Sequence, residues 1–383
     1  MDRKIRVCPI CGKTEKIFLY RNTMAALGDI DLSYTIVACA RCHSVFADEI
    51  ASREEYEKYY SLYSKYDTGG TPSQETCMIH EKLVNIVSKY FDEPICGVVD
   101  IGCGSGNLLA TFGKRFQHIA LIGIDPSPET AYHRLKNFKH VEINKGFIEN
   151  VDVVNRECNV FCLTAVLEHL ENPFAALLAL SERLSERDCL AIEVPDISYF
   201  DGRDGEPYGE FSLEHINYFS IESLSQLLER AGFAVIASEK LRFKSCGSLL
   251  LLARKKRGKS LHTINDKDIL KSYVEQSEFH WKQAVEARIN SIFDTFWIFG
   301  AGSHTAKLIG RYEDIFSKFC IGILDNNKNL HGVTMGNCTI VAPTELPRKQ
   351  DVQVLISSFK AECVLESELR KIRPSAEILK IYS

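Results

Sequence analysis

The sequence lacks any uninterrupted apolar stretch long enough to span a bilayer, and its first residues, Met1-Asp2-Arg3-Lys4-Ile5-Arg6, lack the apolar run of a secretory leader. It therefore reads as a cytoplasmic chain with no membrane partner. An excess of positive charge is also missing. Lys and Arg total 46 against 51 Asp and Glu, a formal net charge of -5, which argues against a surface built to neutralise the many phosphates of a long nucleic acid. A small anionic substrate remains compatible with that balance. In a reducing compartment the 14 cysteines are expected to be thiols or metal ligands rather than disulfides. At 383 residues the chain exceeds the usual single core, so two or three domains are expected.

Four of the cysteines are spaced unlike the rest. Cys8-Pro9-Ile10-Cys11 and Cys39-Ala40-Arg41-Cys42 are two Cys-x-x-Cys pairs separated by a connection of ordinary length for a zinc ribbon. Each pair lets two thiolates converge on one tetrahedral ion, and Gly12 permits the tight bend that such knuckles use. A redox pair is the competing reading, but redox motifs do not normally come as two matched pairs. Cys8, Cys11, Cys39 and Cys42 are thus expected to hold one structural Zn2+, with His43 the weaker substitute for a thiolate. Four protein ligands leave no open coordination position.

Further along, the apolar strand Val98-Val99-Asp100-Ile101 runs into Gly102-Cys103-Gly104-Ser105-Gly106-Asn107. Glycines recur there because a nucleotide cofactor needs close approach to the backbone. A missing residue decides between cofactors: a dinucleotide fingerprint wants a glycine three residues after Gly104, and this chain has Asn107. The loop reads as a site for S-adenosylmethionine. Asp125 closes the next apolar strand, where a carboxylate can accept hydrogen bonds from both ribose hydroxyls. The residues expected to bind the cofactor are Asp100, Gly102, Cys103, Gly104, Asn107, Leu108, Asp125, Pro126, Phe147, Ala165 and Val166.

Around this loop the chain alternates strand and helix, which predicts an α/β fold with a parallel sheet covered on both faces. A helix over 76–90 feeds strands at 97–101, 120–124, 141–143, 160–163 and 189–194. Two more, at 234–238 and 248–253, are joined too closely for a crossover helix and should be antiparallel. A seven-stranded sheet ending in such a hairpin is the class I methyltransferase architecture. Before it, Tyr56, Tyr59, Tyr60, Tyr63 and Tyr66 read either as packing or, for Tyr63 or Tyr66, as a lid over the cofactor. After it, the basic run Arg254 to Lys259 reads as a solvated linker, followed by a long polar helix over 266–290. Phe296-Trp297-Ile298-Phe299-Gly300-Ala301-Gly302 is a second strand into a glycine loop, Asp325 closes the next strand, and a further strand covers 353–357. These predict a small Rossmann-like domain whose glycine pattern suits a substrate site or a structural role better than NAD. The expected division is a zinc-binding domain over 1–70, a methyltransferase domain over 71–258, and a linker helix with the Rossmann-like domain over 259–383.

Together, the two Cys-x-x-Cys pairs, Asp100-Ile101-Gly102-Cys103-Gly104, Val166-Leu167-Glu168-His169, Glu214-His215-Ile216-Asn217-Tyr218-Phe219-Ser220 and Gly300-Ala301-Gly302 with Asp325 resemble the sugar C-methyltransferases that act on nucleotide-linked keto-deoxysugars. The resemblance covers essentially the whole chain and implies a small-molecule partner, a nucleotide sugar, methylated at the carbon next to its ketone. It implies His215 as the base. Two departures stand out: the family has a tyrosine where this chain has Ser212, and a lysine-bearing loop where this chain has Gly302-Ser303-His304-Thr305. Tyr208 or Tyr218 is the candidate replacement hydroxyl.

The chemistry supports the same residues without the family. The acceptor must lose a proton, and histidine titrates near neutrality. His215 follows the fifth strand at the carboxyl edge of the sheet, where an open α/β site lies. Glu214 beside it can bind substrate, orient a partner or stabilise imidazolium, and Glu168-His169 either lines the cofactor side or starts a helix bounded by Pro173. Glu214-His215 also has a plain structural reading, as a polar loop leading to a helix capped by Ser220 with Glu222 in its first turn. The competing activities are O-methylation of a sugar or other small molecule and, against the charge balance, methylation of RNA.

Overall fold

The computed structural model describes residues 3–62, 72–148, 159–200, 205–243, 247–256, 262–292, 294–347 and 352–382. Tyr63, Tyr66 and the expected boundaries at 70/71 and 258/259 lie outside these residues, as does the end of the basic run. Among the described residues no helix is long and apolar enough to cross a membrane.

Along the chain, β1 (Lys16–Asn22), β2 (Tyr34–Cys39) and β3 (Val45–Asp48) form an antiparallel sheet at the amino terminus. The parallel strands β4 (Gly97–Ile101), β5 (Ala120–Asp125), β6 (Val141–Lys145), β7 (Asn159–Thr164) and β8 (Cys189–Pro195) follow. After the two-residue β9 (Asn217–Tyr218), the hairpin of β10 (Phe233–Arg242) and β11 (Gly247–Lys255) completes a seven-stranded sheet of order β10-β11-β8-β7-β4-β5-β6. β11 runs antiparallel to both of its neighbours. This is the mixed sheet expected from the element order. Every residue of β4 is buried, Asp100 included, as the place of a central parallel strand covered on both faces requires. The order reverses between β4 and β7, so their carboxyl ends open a crevice. The expected helix before β4 is present as Gln74–Tyr90, capped by the Ser73 side chain, and the one after β9 as Ile221–Arg230, capped by Ser220.

The carboxyl-terminal sheet contains β12 (Phe296–Phe299), β13 (Cys320–Leu324), β14 (Thr334–Met335), β15 (Cys338–Val341), β16 (Gln353–Ile356) and β17 (Glu377–Lys380). Their order is β14-β15-β13-β12-β16-β17, all parallel except the edge strand β14. The helix leading to it differs from the expected polar one. Asp266–His280 continues through a π turn, Trp281–Glu286, into Ala287–Ile289, and buries Leu270, Tyr273, Trp281, Val285 and Ile289. That spacing is a narrow apolar stripe on an otherwise charged helix, and it seats the helix in a core shared with both terminal sheets.

The amino-terminal sheet is not free-standing. β9 pairs with β3, Val45 opposite Tyr218 and Phe46 opposite Asn217, so the segment after the fifth central strand becomes its fourth strand. The Ala25 N–H donates to the Ala306 carbonyl and Gly28 N–H to Thr334, joining the same region to the carboxyl-terminal sheet.

At the centre of the first junction sits Arg6, 5% exposed. Its Nη1 donates to the carbonyls of Ala47 and Ile216, both at 2.8 Å, and its Nη2 to Glu171 O at 2.9 Å and Asn217 Oδ1 at 2.6 Å. Burial lowers its pKa to about 10, still well above neutrality, so the group stays charged. Arg6→Ala would leave three buried acceptors and a part-buried one without that donor, a change expected to cost about 3 kcal/mol or more. Lysine cannot replace the planar fork, so Arg6→Lys should recover little. Urea unfolding followed by tryptophan fluorescence checks this through a lowered midpoint in both variants; a wild-type midpoint in Arg6→Ala would contradict it.

Candidate active site

The crevice at the reversal of strand order is lined on one side by the glycine loop. Gly102, Gly104 and Gly106 all have positive φ, at 78°, 48° and 74°, a region costly for side chains. A Cβ on Gly102 would lie 2.6 Å from Val166 Cγ2, whereas one on Gly104 would meet nothing within 4 Å. The first glycine thus allows the loop to close on β7, and the second leaves open space. The Asp125 carboxylate holds the loop: Oδ2 accepts from Gly104 N at 2.7 Å and Oδ1 from Ser127 N at 2.8 Å. Each oxygen keeps a lone pair for a further donor.

Asp100 is fully buried with Oδ1 unpartnered among the described residues, and burial, then the nearby Asp125, raises its pKa to about 7. A buried orphan oxygen at the head of a glycine loop fits a ligand that brings a donor. The side chains of Cys103 and Leu108 belong to the core beneath the loop. Asn107 begins the helix Asn107–Arg115, and its Nδ2 donates to Ser105 Oγ at 2.7 Å. Pro126 and Phe147 are exposed beyond the ends of β5 and β6.

Across the crevice, Ala165 sits at φ 52° immediately after β7, a strained value for a residue with a Cβ. It is held by its N–H to Glu193 O and Oε2, both at 3.1 Å. Val166 follows, packed on Gly102, and its carbonyl accepts the His169 N–H at 3.0 Å. His169 is therefore one turn from the glycine loop and precedes the helix Pro173–Arg183 instead of starting it.

His169 lies against His215, ring centroids 5.0 Å apart and edge-on. Its Nδ1 is 2.8 Å from the Glu214 carbonyl oxygen, which can only accept, so Nδ1 carries the proton and Nε2 the lone pair. Burial lowers the pKa of His169, and burial with His169 beside it lowers that of His215 to about 3. Both imidazoles are therefore neutral at physiological pH. Glu214 contributes its backbone oxygen to the pair, while its carboxylate lies toward Tyr56 and Tyr59.

Ser212 does not stand in for the family's tyrosine. Its Oγ accepts from the backbone of Glu214 at 3.3 Å and His215 at 3.0 Å, shaping the turn that carries them. Of the replacement hydroxyls proposed from sequence, that of Tyr208 is bonded elsewhere and that of Tyr218 is buried with no hydrogen-bond partner among the described residues. Tyr208 is 1% exposed, stacks on Tyr20 at 4.4 Å and donates to Glu278. Tyr218, 3% exposed, is packed against Phe211 in the core.

Sequence reasoning passed over Glu193 and gave Glu168 no role of its own. Both are buried, and burial raises both pKa values, for Glu168 with Glu193 as a second cause. The signal for Glu193 was a lone acid inside the apolar strand Cys-Leu-Ala-Ile-Glu-Val-Pro. The loops carrying Glu168 and His215 are laced together by the backbone: Glu168 O accepts from Ile216 N and Asn217 N, and Asn217 Nδ2 donates to Leu167 O and Leu170 O.

Two other motifs have defined geometry. Cys8 Sγ and Cys42 Sγ are 3.6 Å apart, Cys11 Sγ and Cys39 Sγ 3.4 Å, and all four sulfurs fall within 4.8 Å. Tetrahedral zinc with bonds of about 2.3 Å sets sulfurs about 3.8 Å apart, so the cluster has the dimensions of that ion. In the carboxyl-terminal sheet, Asp325 repeats the role of Asp125, accepting from Ala301 N at 2.8 Å and Asn327 N at 2.7 Å. On the β16 side of that loop, His304, 4% exposed, bonds Ser357 Oγ at 2.9 Å and Tyr382 Oη at 2.6 Å.

Residues 78–238 match the family model described as a methyltransferase domain. Over 99 residues the chain is 28% identical to trans-aconitate 2-methyltransferase of Methylobacterium nodulans, which covers 26% of this chain and 38% of that relative. The chain thus spans well under half the length of this curated relative. Among solved structures, 1,6-didemethyltoxoflavin-N1-methyltransferase of Burkholderia thailandensis, bound to 1,6-didemethyltoxoflavin and S-adenosylhomocysteine, aligns with a TM-score of 0.43 at 18% identity, covering 61% of this chain and 100% of its own. The N,N-8-amino-8-demethyl-D-riboflavin dimethyltransferase of Streptomyces davawensis aligns with a TM-score of 0.37 at 17% identity, covering 53% of this chain and 58% of its own.

Proposed function

We propose that this chain is an S-adenosylmethionine-dependent methyltransferase acting on a nucleotide-linked keto-deoxysugar, at the carbon next to the ketone, with His215 as the base. The observation that carries the reading is the continuity of the crevice: a glycine loop with an orphaned Asp100 oxygen on one wall, and, one turn past its packing partner Val166, a neutral imidazole pair on the other. The bound cofactor supplies an activated methyl group. The chain supplies position and proton transfer. Asp125 receives the ribose hydroxyls, and the backbone around Gly104 admits the ligand where no side chain intrudes.

On the acceptor side, the carbon next to a ketone loses a proton as it becomes nucleophilic, and His215, neutral and set against His169, takes it. The His169 Nδ1 proton is held by Glu214 O, which fixes that ring's orientation. The four-cysteine cluster is assigned one structural zinc, since its sulfurs leave no position open. The acidic charge balance favours a small acceptor over RNA.

Three outcomes follow from this reading. Metal analysis of purified protein should find one zinc per chain held by Cys8, Cys11, Cys39 and Cys42, and its removal should unfold the amino-terminal sheet; a metal-free preparation with full activity would refute the assignment. Asp125→Ala should weaken S-adenosylmethionine binding about tenfold or more by calorimetry, because the ribose acceptor and the anchor of Gly104 N–H are lost together. Wild-type affinity in that variant would remove Asp125 from the cofactor site. His215→Asn should keep cofactor affinity within a few-fold yet slow turnover about a hundredfold or more, and abolish deuterium exchange at the acceptor carbon. Normal exchange with slow methylation would make His215 a positioning residue.

A further inference from the structure

Glu168, His169 and His215 each present one ligand atom to a common point, all within 4.8 Å of one another. The Glu168 carboxyl is 1% exposed, and neither of its oxygens has a hydrogen-bond partner among the described residues. A buried acid left in that state is costly unless something else meets it. Its Oε1 lies 3.9 Å from His169 Nε2, the nitrogen that carries the lone pair. The opposite nitrogen of that ring is tied to the Glu214 carbonyl at 2.8 Å, which is the outer-shell arrangement by which metal-binding histidines are oriented. The His169 side chain keeps 23% exposure, so the cluster is reachable from solvent.

We propose that Glu168, His169 and His215 bind one divalent transition-metal ion, at a second site distinct from the four-cysteine cluster. Two imidazoles and a carboxylate suit zinc, cobalt or iron better than magnesium, which prefers an all-oxygen shell. Metal–ligand bonds of about 2.1 Å place donors about 3.4 Å apart in a tetrahedron, so modest side-chain rotations close the three around an ion. Three protein ligands leave at least one position open, on the side where the acceptor oxygen would approach. The consequence for turnover rests on the function proposed above: ion and substrate proton compete for the His215 lone pair, so the loaded state holds the acceptor but does not deprotonate it through His215.

Zinc-loaded protein titrated with Co2+ tests the site without reference to activity. The expected result is one further Co2+ per chain, with ligand-field absorption and no thiolate charge-transfer band. His169→Ala and Glu168→Gln should each weaken it about tenfold or more, with circular dichroism and S-adenosylmethionine affinity retained in His169→Ala as the control for folding. Absence of the second Co2+, or its persistence in His169→Ala, would overturn the proposal. In turnover with a keto-sugar, Co2+ should slow the reaction and a chelator restore it. Acceleration by Co2+ would overturn the competition and the base role of His215 while leaving the site. Slow turnover of His215→Asn in a protein that binds no second Co2+ would overturn the site alone, and near-normal turnover of that variant with the wild-type protein binding Co2+ would overturn the base role alone.

Discussion

The Arg6 guanidinium gathers acceptors from three stretches of chain: Ala47 in the amino-terminal sheet, Glu171 after the fourth central strand, and Ile216 with Asn217 after the fifth. Asn217 then spends its own amide on Leu167 and Leu170. The four Arg6 bonds have a buried charge as donor, the class worth about 1.5–3 kcal/mol each, and both sets converge on the two loops that bring His169 and His215 together. With the backbone bonds from Ile216 and Asn217 to the Glu168 carbonyl, they hold the loop after β8 over the loop after β7. The amino-terminal sheet thus helps to place the imidazole pair, although it contributes no side chain to it.

This arrangement divides the crevice into halves with different origins. The glycine-loop half is made within the central sheet, from backbone angles that only glycine takes easily and from the acids of β4 and β5. The imidazole half is assembled from a distance, by strand β9 joining another sheet and by Arg6. The same division explains why the geometry of the glycine loop follows from consecutive residues and that of the imidazole pair does not.

Legibility in the sequence follows that physics. The strands of the central sheet were readable because each is a short apolar run bounded by turn residues, and the hairpin of β10 and β11 because its connection is too short for a crossover. Asp125 was readable from its place at the end of β5. β9 was not: two residues carry no period, and their pairing with Val45 and Phe46 is a contact far along the chain. The stripe Leu270, Tyr273, Trp281, Val285 and Ile289 was hidden by charged residues around it. Glu168 is visible in the sequence as half of a Glu-His pair, but its burial beside Glu193 depends on how β7 and β8 align. Tyr208 and Tyr218 looked available because sequence does not show that both are sealed in a core with Tyr20, Tyr34 and Phe211.

The second glycine loop shows how far a repeated local rule can go without repeating the chemistry. Asp325 binds Ala301 as Asp125 binds Gly104, yet here a buried His304, bonded to Ser357 and Tyr382, lies in the first turn of the helix after the loop. Transfer of a methyl group to a sugar nucleotide is the claim on which the account turns. Its most direct test is mass spectrometry of pooled nucleotide sugars incubated with the protein and methyl-labelled S-adenosylmethionine. The account predicts a labelled nucleotide sugar whose added methyl is bonded to carbon next to the keto group; label confined to RNA, or to no acceptor in a preparation that binds the cofactor, would contradict it.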